Sequence, residues 1–180
     1  MEPATEKTSL MLRRAMQPYP ETGLPDIQLF RMKHDNILIR EYMPDDADSL
    51  AALTTEMGYP TTGQEMTDRM ALISQPPDYE TAVAVAGGEI AGYIGLCKSR
   101  FWEQNGHFIR IQALVVKKES RRLGIGQKLV DFAEQRARQT GANMLILNCG
   151  NRPERAAAHL FYPRMGFVPK STGYVKKLSS

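Results

Sequence analysis

At 180 residues the chain has the size of one domain and is long enough to bury a proper core. Apolar residues make up 42% and charged residues 24%, and 23 Lys and Arg against 20 Asp and Glu leave a formal charge of +3, too small an excess to argue for a nucleic-acid partner. Two cysteines, Cys97 and Cys149, exclude a disulfide framework, no Cys/His cluster has metal-ligand spacing, and the expectation is a metal-free protein in a reducing, cytoplasmic location.

Residues 1–36 hold Pro3, Pro18, Pro20 and Pro25, scattered charges and no sustained apolar period, which predicts an irregular arm ahead of a folded domain over 37–180. From Ile37 an alternating pattern predicts a short strand. Pro44 and the acidic residues Asp45, Asp46 and Asp48 suit a helix first turn, and Leu50, Leu53 and Met57 continue that helix until Gly58-Tyr59-Pro60 stops it. Thr61 or Thr62 can cap a second helix carrying Met66, Met70 and Ile73 on one side. The stretches 81–85 and 90–97 flank Gly87-Gly88 and read as a β-hairpin, because a primed turn needs positive φ. The same region, the longest weakly polar one, is too short and interrupted to span a bilayer, and the N-terminus lacks a basic segment followed by an apolar run.

A strand is predicted over 107–116, a helix over 126–140 with Leu129, Phe132, Ala133 and Arg136 on one stripe, and a strand over 144–149. Asn151 with Glu154 reads as a capping pair opening another helix, and 172–178 as a last, edge-like strand. The order β, α, α, β, β, β, α, β, α, β predicts an α+β (mixed α/β) domain, a mixed sheet with helices on both sides.

The chemistry is concentrated between Leu114 and Leu129, where an apolar strand end runs into a basic, glycine-bearing loop that starts an amphipathic helix. Unbonded N–H groups and the positive dipole end at a helix start suit an anion, and Gly124 and Gly126 allow close backbone approach; a pyrophosphate fits such a junction. The same residues could instead only shape a turn, with Arg121 and Arg122 as a solvated face. A P-loop is absent, and Leu129 stands where a dinucleotide fingerprint needs its third glycine.

Arg121-Arg122-Leu123-Gly124-Ile125-Gly126 resembles the [RQ]xxGx[GA] pyrophosphate loop of the GNAT superfamily of N-acetyltransferases. Downstream, Arg155 to Tyr162 followed by Gly166-Phe167 is similar to that family's closing segment, and the resemblance extends over nearly the whole chain beyond the arm. It implies the GNAT fold, with a central, mostly antiparallel sheet flanked by helices, and acetyl-CoA as the acyl donor. It further implies that the Arg121, Arg122, Leu123, Gly124, Ile125, Gly126 and Gln127 loop holds the pyrophosphate, with the amides from Arg122 to Gln127 as its cradle. The strand end Leu114, Val115 and Val116, splayed from its neighbour by a bulge, is implied to pair with the pantetheine, with Asn148 near the end of the strand opposite. Tyr162 matches the family's tyrosine that protonates the departing thiolate.

Several residues depart from the family pattern. Arg155 stands where many members have asparagine, and Pro163 directly follows Tyr162, where it can tighten or end the helix. His159 is open between cofactor contact and packing. The strand over 107–116 lacks the glutamate that members often place there; His107 is the candidate base, with Gln112 as holder of a relay water and Glu103 in the preceding loop as alternatives.

The acceptor side is expected at the connector Met57 to Gly63, the loop 100–106 and the chain after Phe167, with Glu56, Glu65 and Asp68 able to attract a cationic amine. The leading expectation is an acetyl-CoA-dependent N-acetyltransferase acting on a small-molecule or protein amine. Its rival is a non-catalytic acyl-CoA-binding regulatory module of the same fold. No nucleic-acid or membrane partner is expected, because the basic residues split into two patches without interleaved aromatics; dimers are common in the family, and a homodimer is held open.

Overall fold

The computed structural model describes residues 36–178, so the arm predicted over 1–36 lies, apart from Asn36, outside the described residues. Five strands form one sheet in the order β1-β2-β3-β4-β5: β1 Leu38–Glu41, β2 Tyr79–Ala86, β3 Glu89–Arg100, β4 His107–Val116 and β5 Leu145–Leu147. The first four pair antiparallel and β5 joins β4 in parallel. Helix α1, Ala47–Glu56, follows a single 3₁₀ turn at Pro44–Asp46, and α2 is Gly63–Ile73, α3 Ile125–Thr140 and α4 Ala156–Arg164. Among the described residues no helix is long and apolar enough to cross a membrane.

Local chemistry explains most of these boundaries. Gly87 (φ 60°) and Gly88 (φ 83°) form the two-residue hairpin turn between paired Ala86 and Glu89. The Thr62 hydroxyl accepts from the Glu65 N–H (3.2 Å) while the Glu65 carboxylate accepts from the Thr62 N–H (2.8 Å), a complete capping box for α2. Ile125, Leu129, Ala133 and Ala137 form the buried line of α3; Phe132 and Arg136 sit at its rim, where Arg136 lies over the Phe132 ring and pairs with Glu80 at 2.7 Å.

The sheet buries both faces. Ala82, Ala84, Ile94, Leu96, Ile109 and Ile111 pack under α3. Val83, Tyr93 and Val115 pack with Leu50, Leu53, Met66 and Met70 of α1 and α2 on the other side, where the Tyr93 hydroxyl and Thr54 share a buried 2.8 Å hydrogen bond. Helices thus cover both faces, as the sequence predicts.

Two elements differ from expectation. The segment 172–178 forms no strand, and Tyr174, Val175 and Leu178 are almost fully exposed; an alternating pattern becomes a strand only where a neighbour takes its N–H and C=O groups. The helix expected from an Asn151 cap begins later, with Arg152 as the N-cap of a 3₁₀ turn at Pro153–Arg155 that leads into α4. Proline fixes φ at the first helical position and forces the residue before it to be extended, as Arg152 is (φ −77°, ψ 148°).

One ion pair anchors the entry to α1. Arg40 on β1 donates to both Asp46 oxygens at 2.6 and 2.8 Å, and the Met43 N–H donates to the same carboxylate at 2.8 Å. Burial pushes the Asp46 carboxyl upward, but the Arg40 hydrogen bond, the Met43 N–H and the Arg40 charge together hold it below its ordinary value. Asp46→Asn should cost about 2–3 kcal/mol at neutral pH, less than a fully buried pair because Arg40 keeps some solvent. A depressed carboxyl stabilises the fold above its unfolded pKa of about 3.9 and loses that contribution as pH falls through the lower folded value. Chemical denaturation of both proteins should therefore show the difference shrinking below about pH 4; a difference that persists undiminished at pH 2 would contradict the pairing.

Candidate functional site

The site forms where β4 leaves β5. Ladder partners run Ile109↔Leu145, Arg110↔Ile146 and Ile111↔Leu147 and then stop. On the other side of β4, Leu96 faces Ile111 while Gly95 faces Ala113, so Gln112 is the extra residue of a β-bulge. The bulge reverses the facing of the strand: Ile109 and Ile111 lie under α3, whereas Val115 is buried against α1 and α2, and Leu114 and Val116 take the α3 side. From Gln112 to Val116 the edge of β4 turned toward β5 has no strand partner. Leu114 and Val116 thus turn their backbone groups to that gap, whereas Val115, like Lys117, turns its own to β3, and Asn148 stands exposed just past β5.

The chain then turns from β4 into α3 through a short loop. Lys117 N–H donates to the Ala91 carbonyl at 2.8 Å, a 3₁₀ turn spans Lys118–Ser120, and Arg121 folds back with Nε on the Val116 carbonyl and Nη2 on Glu56, both at 3.2 Å. Arg122 (φ 63°) and Gly124 (φ 81°) adopt left-handed backbone, which turns the chain into α3 with Gly124 as an N-cap that has no side chain to cap the helix. Lys128 makes the first bond of the ladder, to the Gly124 carbonyl at 3.0 Å, leaving the N–H groups of Ile125, Gly126 and Gln127 outside it. A Cβ on Gly126 would meet the Phe161 ring at 3.2 Å, so this glycine lets α4 pack on the helix start.

That packing brings Tyr162 to the same region. Its ring lies edge-on to Phe161 and Phe167 at 5.5 and 5.8 Å, and the Phe167 N–H donates to its carbonyl at 3.0 Å. Burial pushes the Tyr162 phenol above its ordinary value, the neighbouring Cys149 thiol adds to this, and Arg155 opposes it. Burial likewise raises the Cys149 thiol, again opposed by Arg155, which places Arg155, Cys149 and Tyr162 around the open end of β5. Pro163 is accommodated inside α4, which ends one residue later. His159 bonds the Gly150 carbonyl at 3.0 Å and so ties α4 to the loop after β5.

His107 is not brought to this site. It opens β4 opposite Arg100, five residues before the bulge, which at about 3.3 Å per residue is roughly 17 Å of strand. That exceeds the reach of direct proton transfer, and its Nε2 is buried without a hydrogen-bond partner. Gln112 is exposed at the bulge, and Glu103 accepts from the Trp102 N–H at 3.1 Å. The acidic residues expected to draw a cationic amine are engaged within the protein: Glu56 with Arg121, Glu65 in the α2 cap, and Asp68 with Gln64 at 2.9 Å.

A contact with no sequence signal crosses the mouth of the gap. Arg152, from the loop after β5, donates from Nη2 to the Tyr59 hydroxyl at 3.2 Å, with its guanidinium 5.4 Å from the Tyr59 ring centre. Tyr59 lies in the α1–α2 connector, three residues after Glu56. Elsewhere, a concavity of about 470 Å³ lined by Ile37, Ile39, Lys128, Asp131, Phe132 and Gln135 lies by the β1 edge, away from the gap and from Tyr162.

A mixed, mostly antiparallel five-stranded sheet with helices on both faces is the architecture of the GNAT fold. The profile of the acetyltransferase (GNAT) family matches residues 46–167, and the chain belongs to that family. It is 32% identical over 142 residues to an aminoalkylphosphonate N-acetyltransferase of Salmonella typhimurium, across 78% of this chain and 90% of that one. Among solved structures, a GNAT family acetyltransferase of Staphylococcus aureus is similar with a TM-score of 0.67 and 28% identity, covering 79% of this chain and 98% of the other. An aminoglycoside N-acetyltransferase in complex with CoA is alike in fold alone, with a TM-score of 0.68 and 13% identity over 81% of this chain and 96% of that one.

Proposed function

We propose that this acetyltransferase moves the acetyl group of acetyl-CoA to a primary amine by direct attack on the thioester. The observation that carries the reading is the meeting of an uncapped, glycine-lined start of α3 with a strand end that, past the Gln112 bulge, has no partner on its β5 side. Acetyl-CoA supplies the activated acyl carbon. The Ile125, Gly126 and Gln127 N–H groups, with those of the loop before them, would hold its pyrophosphate, and the dipole of α3 favours that charge. The edge of β4 that faces the gap at Leu114 and Val116 would take the pantetheine amides, and an N–H there would stabilise the charge developing on the thioester oxygen.

In the transfer, the amine lone pair forms the C–N bond, the C–S bond breaks and the sulfur leaves as thiolate. Tyr162 gives its proton to that sulfur, and the amine's proton passes to solvent, from which the phenol is restored. Because burial raises its pKa, Tyr162 is protonated at neutral pH and ready to donate. Phe108 to Val116 include no carboxylate or imidazole, so removal of the amine's proton falls to water at the exposed Gln112 bulge.

The acceptor is a small amine or a protein amine, and aminoalkylphosphonates, the substrates named for the Salmonella relative, belong at the head of the panel. Calorimetry with acetyl-CoA should give micromolar binding, and a thiol-release assay across small amines and lysine peptides should give turnover. Binding without turnover on any amine would favour the non-catalytic acyl-CoA-binding module. Absence of binding by folded protein would overturn the reading.

A further inference from the structure

Of the carboxylates expected at the acceptor end of the gap, Glu56 is paired with Arg121, while Glu65 and Asp68 bond the neutral Thr62 and Gln64 on α2, keep their charge and are turned to their own helix. Arg152 and Arg155, by contrast, make no ion pair among the described residues, and both lie beside the open end of β5, Arg155 toward Cys149 and Tyr162 and Arg152 across the mouth.

Arg152 is also held in place. The extended backbone imposed by Pro153 sets its direction, and the Tyr59 ring and hydroxyl fix its guanidinium by stacking and by a hydrogen bond from Nη2. That contact uses one edge of the fork, and an exposed, pre-oriented guanidinium suits an oxyanion better than a flexible ammonium would. The contact also joins the α1–α2 connector to the loop after β5, the two segments an acceptor amine passes between to reach the unpaired edge of β4.

We infer that Arg152, positioned by Tyr59, is a specificity-determining residue that binds an anionic group on the acceptor, so that the substrate class is short primary amines bearing a phosphonate, phosphate or carboxylate. The inference rests on the acetyl-transfer reading above. Arg152 takes the anion at the mouth while the amine, two or three bonds away, reaches the thioester. A neutral alkylamine lacks that hold and pays the whole entropic cost of alignment itself.

The test compares 2-aminoethylphosphonate, β-alanine and n-propylamine by thiol release, using the full chain, Arg152→Gln, Arg152→Lys and Tyr59→Phe, with Arg164→Gln as a charge-matched control at the far end of α4. Wild type should prefer at least one anionic amine over n-propylamine by thirtyfold or more in kcat/KM. Arg152→Gln should shrink that preference by about thirtyfold through KM, the loss expected for a charge-assisted hydrogen bond, with acetyl-CoA affinity unchanged by calorimetry. Arg152→Lys should restore part of it, Tyr59→Phe should weaken it less than Arg152→Gln does, and Arg164→Gln should leave it intact. A wild type that favours n-propylamine, or an Arg152→Gln variant that loses equally on all three amines, overturns the inference while acetyl transfer stands. Failure to acetylate any amine overturns both.

Discussion

Tyr162→Phe is expected to lower kcat about a hundredfold while leaving the melting temperature and the acetyl-CoA affinity close to wild type. General acids contribute roughly 10²- to 10⁴-fold, and the lower end applies because a thiolate, with a parent thiol near pKa 8.5, is already a fair leaving group. The ring contacts with Phe161 and Phe167 survive in phenylalanine, so the packing of α4 is retained and only the proton is lost. The pH profile carries a second check. Burial holds the phenol above its ordinary value, so the proton-donating form persists through neutral pH and is lost only as pH rises past about 10. Wild-type kcat should show no alkaline decline from this group below that point. A phenylalanine variant within threefold of wild type would remove Tyr162 from the chemistry and leave it as a packing residue.

Gly124→Asp should weaken acetyl-CoA binding about a hundredfold with little loss of stability. A carboxylate about 5 Å from a bound pyrophosphate costs roughly 3 kcal/mol at an effective dielectric of 20. Stability should fall by no more than the roughly 1 kcal/mol strain of a non-glycine residue at φ 81°, because no atom lies within 4 Å of the added Cβ. Calorimetry beside thermal melting separates the two effects. Undiminished binding would move the pyrophosphate away from the start of α3. Gly126 is the poorer choice for this test, because its Cβ would press on Phe161 and confound binding with the packing of α4.

What could be read in advance was local in origin. The capping box at Thr62, the Gly87-Gly88 turn, the extent of β4 and the start of α3 each follow from residues a few positions apart. The loop motif was legible for the same reason, since two glycines and a strand-to-helix junction are contiguous. The bulge was expected from the family resemblance and not from local residues: Ala113 to Val116 are apolar without alternation, and packing on both faces places the reversal of facing at Gln112. Asn151 looked like a cap by spacing, but Pro153 outweighed it. His107 looked available because it shares a strand with the binding edge, yet a strand's length separates two residues that the sequence lists close together.

The charges show the same division. Glu56, Glu65 and Asp68 read as an acidic acceptor surface because residue type is visible and partners are not; Arg121 reaches Glu56 across 65 positions, and Arg152 reaches Tyr59 across 93. The order of elements as far as α4 and the glycine-bearing start of α3 were determined by the sequence alone, because backbone conformation at glycines, caps and apolar periods is decided by near neighbours. Which strands part, which carboxylates are neutralised and which arginines remain unpaired at the mouth was decided only by the tertiary structure, because each depends on contacts whose partners are far apart in the chain and meet only when the sheet and its helices have packed.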